Sequence, residues 1–150
     1  MKKKLQSIDF KPEKIIASYH GIPKRYHSNG DLYPCHCRGT SNALATASGT
    51  EITTTFQSIF GREEWVKPYT KDTVIEIAKS GIKDIIMLAP AFATDCLETL
   101  EEIEEEIKDA FLESGGKNFA YVECLNDSDD AIAMYKHLAL EELQGWIESI

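Results

Sequence analysis

His20 is the side chain best suited to moving protons near neutral pH, because an unperturbed imidazole titrates there and its ring nitrogens also bind transition metals. It follows an apolar run and precedes Gly21 and Pro23, which places it on a turn. A second feature lies far along the chain, where residues 95–113 hold nine Asp or Glu and one Lys. On a helix advancing 100° per residue, Glu102, Glu106 and Asp109 fall within about 40° of Asp95, with Glu98 at the edge of the stripe. Like charges at such spacing oppose helix formation by about 0.2–0.5 kcal/mol per pair. A row of carboxylates suits a divalent cation or protons in transit, since hard cations take oxygen ligands. Plainer readings stand beside both: a surface histidine and a solvated helix face.

Other candidates are weaker. Pro34-Cys35-His36-Cys37 gathers soft ligands, but a structural zinc site needs four and no matching pair follows. Cys96 and Cys124 stand singly, where cysteine behaves as a small hydrophobe. Met87, Met134 and Trp146 read as core residues.

The elements that must position these groups are legible from periodicity. Residues 14–18, 51–57, 84–88 and 118–123 are short runs rich in β-branched and aromatic residues and read as buried strands. Between them, residues 38–47, 71–79 and 96–114 read as helices, and a closing helix runs from Ser128 or Asp129 to Ile147. Thr70 is a plausible N-cap, Gly81 a stop, and Gly115-Gly116 ends the acidic helix. In that helix Leu97, Leu100, Ile103, Ile107, Ala110 and Phe111 form an apolar arc of about 140° that should pack on a sheet. Alternating strands and helices predict an α/β domain with a parallel sheet and right-handed crossovers. Ligands of such sheets sit beyond the carboxyl ends of the strands, and His20, Trp65, Asp95 and Asn126 all follow strand ends.

The chain of 150 residues is one domain in length, with no repeat, linker or low-complexity tract. The net charge of −9 argues against nucleic acid. It is unevenly spread: residues 1–40 balance to +5 and residues 41–150 to −14. No run approaches the roughly 20 apolar residues of a transmembrane segment. The basic start has no apolar stretch behind it, so no secretory signal is expected, and four cysteines then read as reduced thiols of a cytoplasmic protein.

Several blocks, in order, resemble one family. SYHGIPKRY (18–26) with NGDLYPCHC (29–37) is similar to the signature region of the ferrochelatases, which insert ferrous iron into protoporphyrin IX to form protohaem. TFQSIFGREEWVKPYT (55–70), LAPAFATDCLETLEEI (88–103) and YVECLND (121–127) resemble the blocks that follow. The resemblance runs from about Phe10 to near the end and matches the carboxyl-terminal half of the family. It implies a single Rossmann-like chelatase domain with a four-stranded parallel sheet flanked by helices, acting as a lyase of haem biosynthesis. An amino-terminal domain would lie outside this chain, and residues 1–12 are expected to be a flexible or truncated lead-in.

The resemblance also implies roles. His20 and Glu98 take the catalytic positions; Asp95, Glu102 and Glu106 fall, with those two, on the path of metal or protons. Tyr19, Trp65 and Phe92 take positions near the porphyrin. The family's acidic helix includes a π-helical turn. Cys96 stands where some relatives have His, and no iron–sulfur cluster or other cofactor is expected, Fe²⁺ being a substrate. His20 serves as proton acceptor or as metal ligand, and both stay open. The partners implied are protoporphyrin IX, Fe²⁺, the missing half or a second copy, and a membrane surface touched peripherally. Two alternatives remain: a non-catalytic half that binds porphyrin or haem, and a homodimer like the small cobalt chelatases, against which the placement of His27, His36 and His137 counts.

Overall fold

Four short strands, rich in β-branched and aromatic residues, make one parallel sheet, and the computed structural model describes residues 1–146. Its strands are β1 (Lys14–His20), β2 (Ile52–Gln57), β3 (Asp84–Leu88) and β4 (Asn118–Val122), in spatial order β2-β1-β3-β4. The first connection steps to one side of β1 and the later ones step to the other. Right-handed crossovers therefore send α3 (Tyr33–Ser48) to one face and α4 (Thr70–Lys79) with α6 (Lys108–Glu113) to the other. The reversal of direction at β1 creates the crevice where α/β sheets hold ligands.

Period-two alternation divides the strand residues between two cores. Ile15, Ala17 and Tyr19 join Phe56, Ile86 and Leu88 under α3. Ile16 joins Ile85, Met87 and Tyr121 beneath α4 and the acidic helix, where Val74, Ile103, Ile107 and Phe111 close over them. Both layers are fully buried at their centres, with Ile16, Ala17, Phe56 and Phe111 at 0% exposure.

Several expectations change. The expected lead-in holds a helix, α1 (Lys2–Ser7), and Met1, Leu5, Ile8 and Phe10 pack against the α3-side core. A short α2 (Lys24–Ser28) follows Pro23, whose φ of −53° suits helix entry. The helix expected at 38–47 starts earlier, at Tyr33, with Pro34 in its first turn, and ends where Gly49 turns left-handed at φ 70°. Thr70 is inside α4 rather than its cap, which is Tyr69; its hydroxyl bonds Ser18 and Thr55 instead.

The acidic helix is three pieces. Cys96 caps α5 (Leu97–Leu100), with Thr99 returning a bond to its N–H; a π-helical segment covers Glu102–Ile107 and α6 follows. The closing helix α7 spans Asp129–Glu142, capped by Ser128, and the Ile147 expected at its end lies outside the described residues. Of α7 only Ala131 is buried, so Met134 (40% exposed) and Trp146 (86%) are surface residues and not core; Met87 is buried as expected. Among the described residues no helix is long and apolar enough to cross a membrane.

Candidate active site

The alternation that sends Tyr19 beneath α3 sends Ser18 and His20 to the opposite face, toward the π segment. There His20 lines a cleft of about 500 Å³ at the carboxyl end of β1 and β2. Glu98, Glu101, Glu102 and Glu106 form its acidic wall, and Ile59, Phe60 and Leu97 its apolar lip. Phe60 and Leu97 are 70% and 72% exposed, large apolar surfaces beside charged groups. Two residues 78 positions apart in sequence, His20 and Glu98, thus share one hollow.

His20 is held by its surroundings. Tyr33 donates its hydroxyl to the His20 carbonyl at 2.9 Å, and the ring Nδ1 lies 2.7 Å from the Gly21 carbonyl. A carbonyl only accepts, so Nδ1 carries the hydrogen and Nε2 of the neutral ring keeps its lone pair. Gly21 continues the ladder by donating to the Gln57 carbonyl at 2.8 Å. A Cβ there would stand 2.9 Å from that same oxygen, so only glycine allows this close approach.

Glu98 sits in the first turn of α5, where the helix N-terminus favours negative charge. The Cys96 thiol and its own backbone N–H hold its carboxyl below the ordinary glutamate value, and the His20 ring lowers it further when it carries a positive charge. Glu106 lies further along the wall, 3.7 Å from the exposed ammonium of Lys71. Glu101, which lies off the stripe of a regular helix, also reaches the cleft, while Asp109 does not. Glu101 stands three residues after Glu98 on the same helix face, and the under-wound π segment beyond it turns Asp109 away from its place on an α-helical wheel.

Asp95 corrects the expectation of a continuous row. It precedes the helix and faces away from the cleft, accepting bonds from Tyr121 Oη at 3.0 Å, the Cys124 N–H at 3.2 Å, Thr99 Oγ1 at 3.1 Å and Asn126 Nδ2 at 2.7 Å. Burial pushes its carboxyl up, and the bonds from Asn126, Cys124 and Tyr121 outweigh that and leave it below the ordinary value. Burial also pushes the Cys124 thiol up to about 11, which leaves it an unreactive thiol.

Three expected porphyrin contacts sit elsewhere than on the cleft wall. Tyr19 is 1% exposed and bonds Ser41 Oγ at 2.9 Å under α3, the consequence of sharing a face of β1 with Ile15 and Ala17. Trp65 is 4% exposed; its Nε1 donates to the Phe60 carbonyl at 2.9 Å and its ring lies 4.8 Å from that of Phe60, so it props the lip from behind. Phe92 lines a separate apolar groove of about 350 Å³ with Met1, Leu44, Val122 and Met134.

Sequence reasoning missed a buried polar stack that supports the cleft. Ser18 Oγ donates to Gln57 Oε1 at 2.6 Å and bonds Thr70 Oγ1 at 2.8 Å, which bonds Thr55 Oγ1 at 3.0 Å. Register makes this natural, because Ser18 pairs with Thr55 and His20 with Gln57 on the same face of the sheet. The signal was present in ITTTFQ, since a buried parallel strand is normally apolar throughout and its polar residues need partners.

Among the described residues no three His, Cys, Asp or Glu side chains stand close enough to hold a metal ion together. The cleft thus brings together one imidazole, four carboxylates and an apolar lip.

Comparison with known proteins agrees. The family model described as Ferrochelatase matches residues 1–143. A ferrochelatase of Rhodobacter capsulatus is 50% identical over 145 residues, covering 95% of this chain and 41% of the relative. One from Brucella anthropi is 47% identical over 150 residues, covering 98% and 43%. The chain thus spans about two-fifths of the length of these curated relatives. Among solved structures, a protein described as a candidate cobalamin (vitamin B12) biosynthesis CbiX protein from Marinobacter aquaeolei shares the fold, with a TM-score of 0.58 at 16% identity over 89% of this chain and 97% of that one. With the family model spanning nearly the whole chain and close relatives of one kind, the chain belongs to the ferrochelatase family.

Proposed function

We propose that the chain is the iron-handling half of a ferrochelatase, which inserts Fe²⁺ into protoporphyrin IX to give protohaem. The observation that carries this reading is the meeting of His20 and Glu98 in one cleft rimmed by Phe60, Ile59 and Leu97. Insertion requires two pyrrole protons to leave while the ion exchanges its water for nitrogen ligands. With Nδ1 committed to the Gly21 carbonyl, the Nε2 of His20 is the ring atom placed to accept one such proton. The Glu98 carboxylate beside it, ionised at neutral pH, offers oxygen to a hard cation or takes protons outward. The exposed lip gains from covering a flat apolar macrocycle, and a grip that favours a buckled ring favours the transition state. The acidic wall concentrates cations at the mouth.

A second reading rests on the chain's two-fifths share of its relatives: a half that binds porphyrin without inserting metal. Titration of the full chain with protoporphyrin IX, alone and with Fe²⁺ under anaerobic conditions, separates the two. Binding followed by collapse of the free-base visible bands, both dependent on the cleft, supports insertion. Binding with unchanged bands selects the second reading. Absence of porphyrin binding overturns both.

A further inference from the structure

Glu102 differs from its neighbours on the cleft wall in how completely the protein uses it. One carboxylate oxygen accepts the Ser58 backbone N–H at 2.6 Å, and the other accepts Ser58 Oγ at 2.7 Å and Gln57 Nε2 at 3.0 Å. The same Gln57 nitrogen donates to the Glu98 carbonyl at 2.7 Å, so one buried amide grips both sides of the junction between α5 and the π segment. Gln57 is 2% exposed, its oxygen is fixed by Ser18, and both hydrogens of its amide are committed. Ser58 stands at φ 60°, a left-handed conformation unusual for a residue with a side chain, and the bond from its N–H to Glu102 helps hold it there. Glu98 has only the Cys96 thiol, its own N–H and the imidazole nearby, and Glu106 only an exposed lysine at 3.7 Å.

A cation that took Glu102 as a ligand would compete for lone pairs already holding a buried amide and a strained turn. We propose that Gln57 and Ser58 are positioning residues that withdraw Glu102 from cation binding and use it to fix the start of the π segment. Glu98, Glu101 and Glu106 are then the carboxylates of the wall left to exchange with Fe²⁺ beside His20. This rests on the chelatase reading of the cleft for its cation, but not for the clasp itself.

The test uses the full chain with Co²⁺ alone as probe, read by calorimetry and visible absorption, together with amide hydrogen exchange over residues 98–108. Glu98→Gln should weaken Co²⁺ binding about tenfold or more, in the range known for groups that touch or orient a metal, and leave exchange as in the wild type. Gln57→Leu should speed exchange across the π segment by about tenfold or more while the distant strands stay protected. It should also weaken Co²⁺ binding by displacing Glu98. Adding Glu102→Gln to Gln57→Leu should change neither readout much further, since both act through one clasp. Ser58→Ala, a milder change, should move exchange the same way should the leucine variant fail to fold. The proposal is overturned if Glu102→Gln weakens Co²⁺ binding as much as Glu98→Gln with normal exchange, or if the two clasp substitutions are additive. A wild-type chain that ignores Co²⁺ defeats the chelatase reading instead, and unchanged exchange in Gln57→Leu and Ser58→Ala then defeats the clasp.

Discussion

Tyr19 and His20 are consecutive residues of β1, yet one serves the core and the other the cleft. Tyr19 lies beneath α3 with its hydroxyl on Ser41, 1% exposed. His20 emerges on the other face at the strand's end, with its ring pinned through Nδ1 and its second nitrogen free. The face under α3 is closed mainly by apolar side chains, whereas the opposite face is apolar toward the strand beginnings and polar at their carboxyl ends. The lesson is that strand parity, not proximity in sequence, decides which residues of a strand can touch a ligand.

The strongest way to break this comparison is to truncate each neighbour. His20→Ala in a chain shown to insert iron should slow insertion by about 10²–10⁴-fold, the usual contribution of a positioned acid–base group, with thermal midpoint little changed. Tyr19→Ala should do the reverse, costing about 3–5 kcal/mol in urea denaturation because it empties a filled site against Phe56. Iron insertion per folded molecule should stay near wild type. Equal loss of activity per folded molecule from both would show that parity does not separate the two roles.

Asp95 sharpens the comparison, since it is an acidic residue used for structure. Asn126→Ala removes two bonds to the Asp95 residue and should cost about 1–3 kcal/mol at pH 7. The sign of its pH dependence follows from a carboxyl depressed below its ordinary value of 3.8. Its stabilising effect is present above that value and is lost as pH falls through the lower folded value. The gap between wild type and Asn126→Ala should therefore narrow below about pH 4 and stay level above it, measured by denaturation across the range. A milder probe of the α3 face is Tyr19→Phe, which deletes only the bond to Ser41 and should cost about 1 kcal/mol.

Much of this arrangement was legible in the sequence because its signals were local. Four runs rich in β-branched and aromatic residues marked the strands, His20 sat after the first of them, and the acidic stretch lay before a glycine pair. What the sequence obscured came from cooperative geometry. A regular wheel counted from Asp95 placed Asp109 in the stripe, because it carried on through a π segment that re-aims every residue after Glu101. It left out Glu101 because it took its origin from Asp95, a residue outside the helix. Asp95 fell outside the helix when Cys96 adopted extended backbone and Asn126 offered both its amide atoms. The polar stack needed the register of β1 on β2 to bring Ser18, Thr55 and Gln57 together. Parity alone, applied to SYH, would have separated Tyr19 from His20.

The smallest effect belongs to the outer end of the wall. Lys71 and Glu106 lie 3.7 Å apart with both side chains more than half exposed, so water and salt screen the pair. Lys71→Ala should change stability by less than about 0.5 kcal/mol, and raising salt should erase even that. Its effect on cation handling should have the opposite sign, because the ammonium competes for the carboxylate an incoming ion would meet first. Removing it should tighten Co²⁺ binding about twofold at low salt, within the modest size expected of an exposed charge, and not at high salt. A loss of Co²⁺ affinity in Lys71→Ala would instead mean that the lysine holds Glu106 in place, which would move Glu106 into the same class as the clasped Glu102.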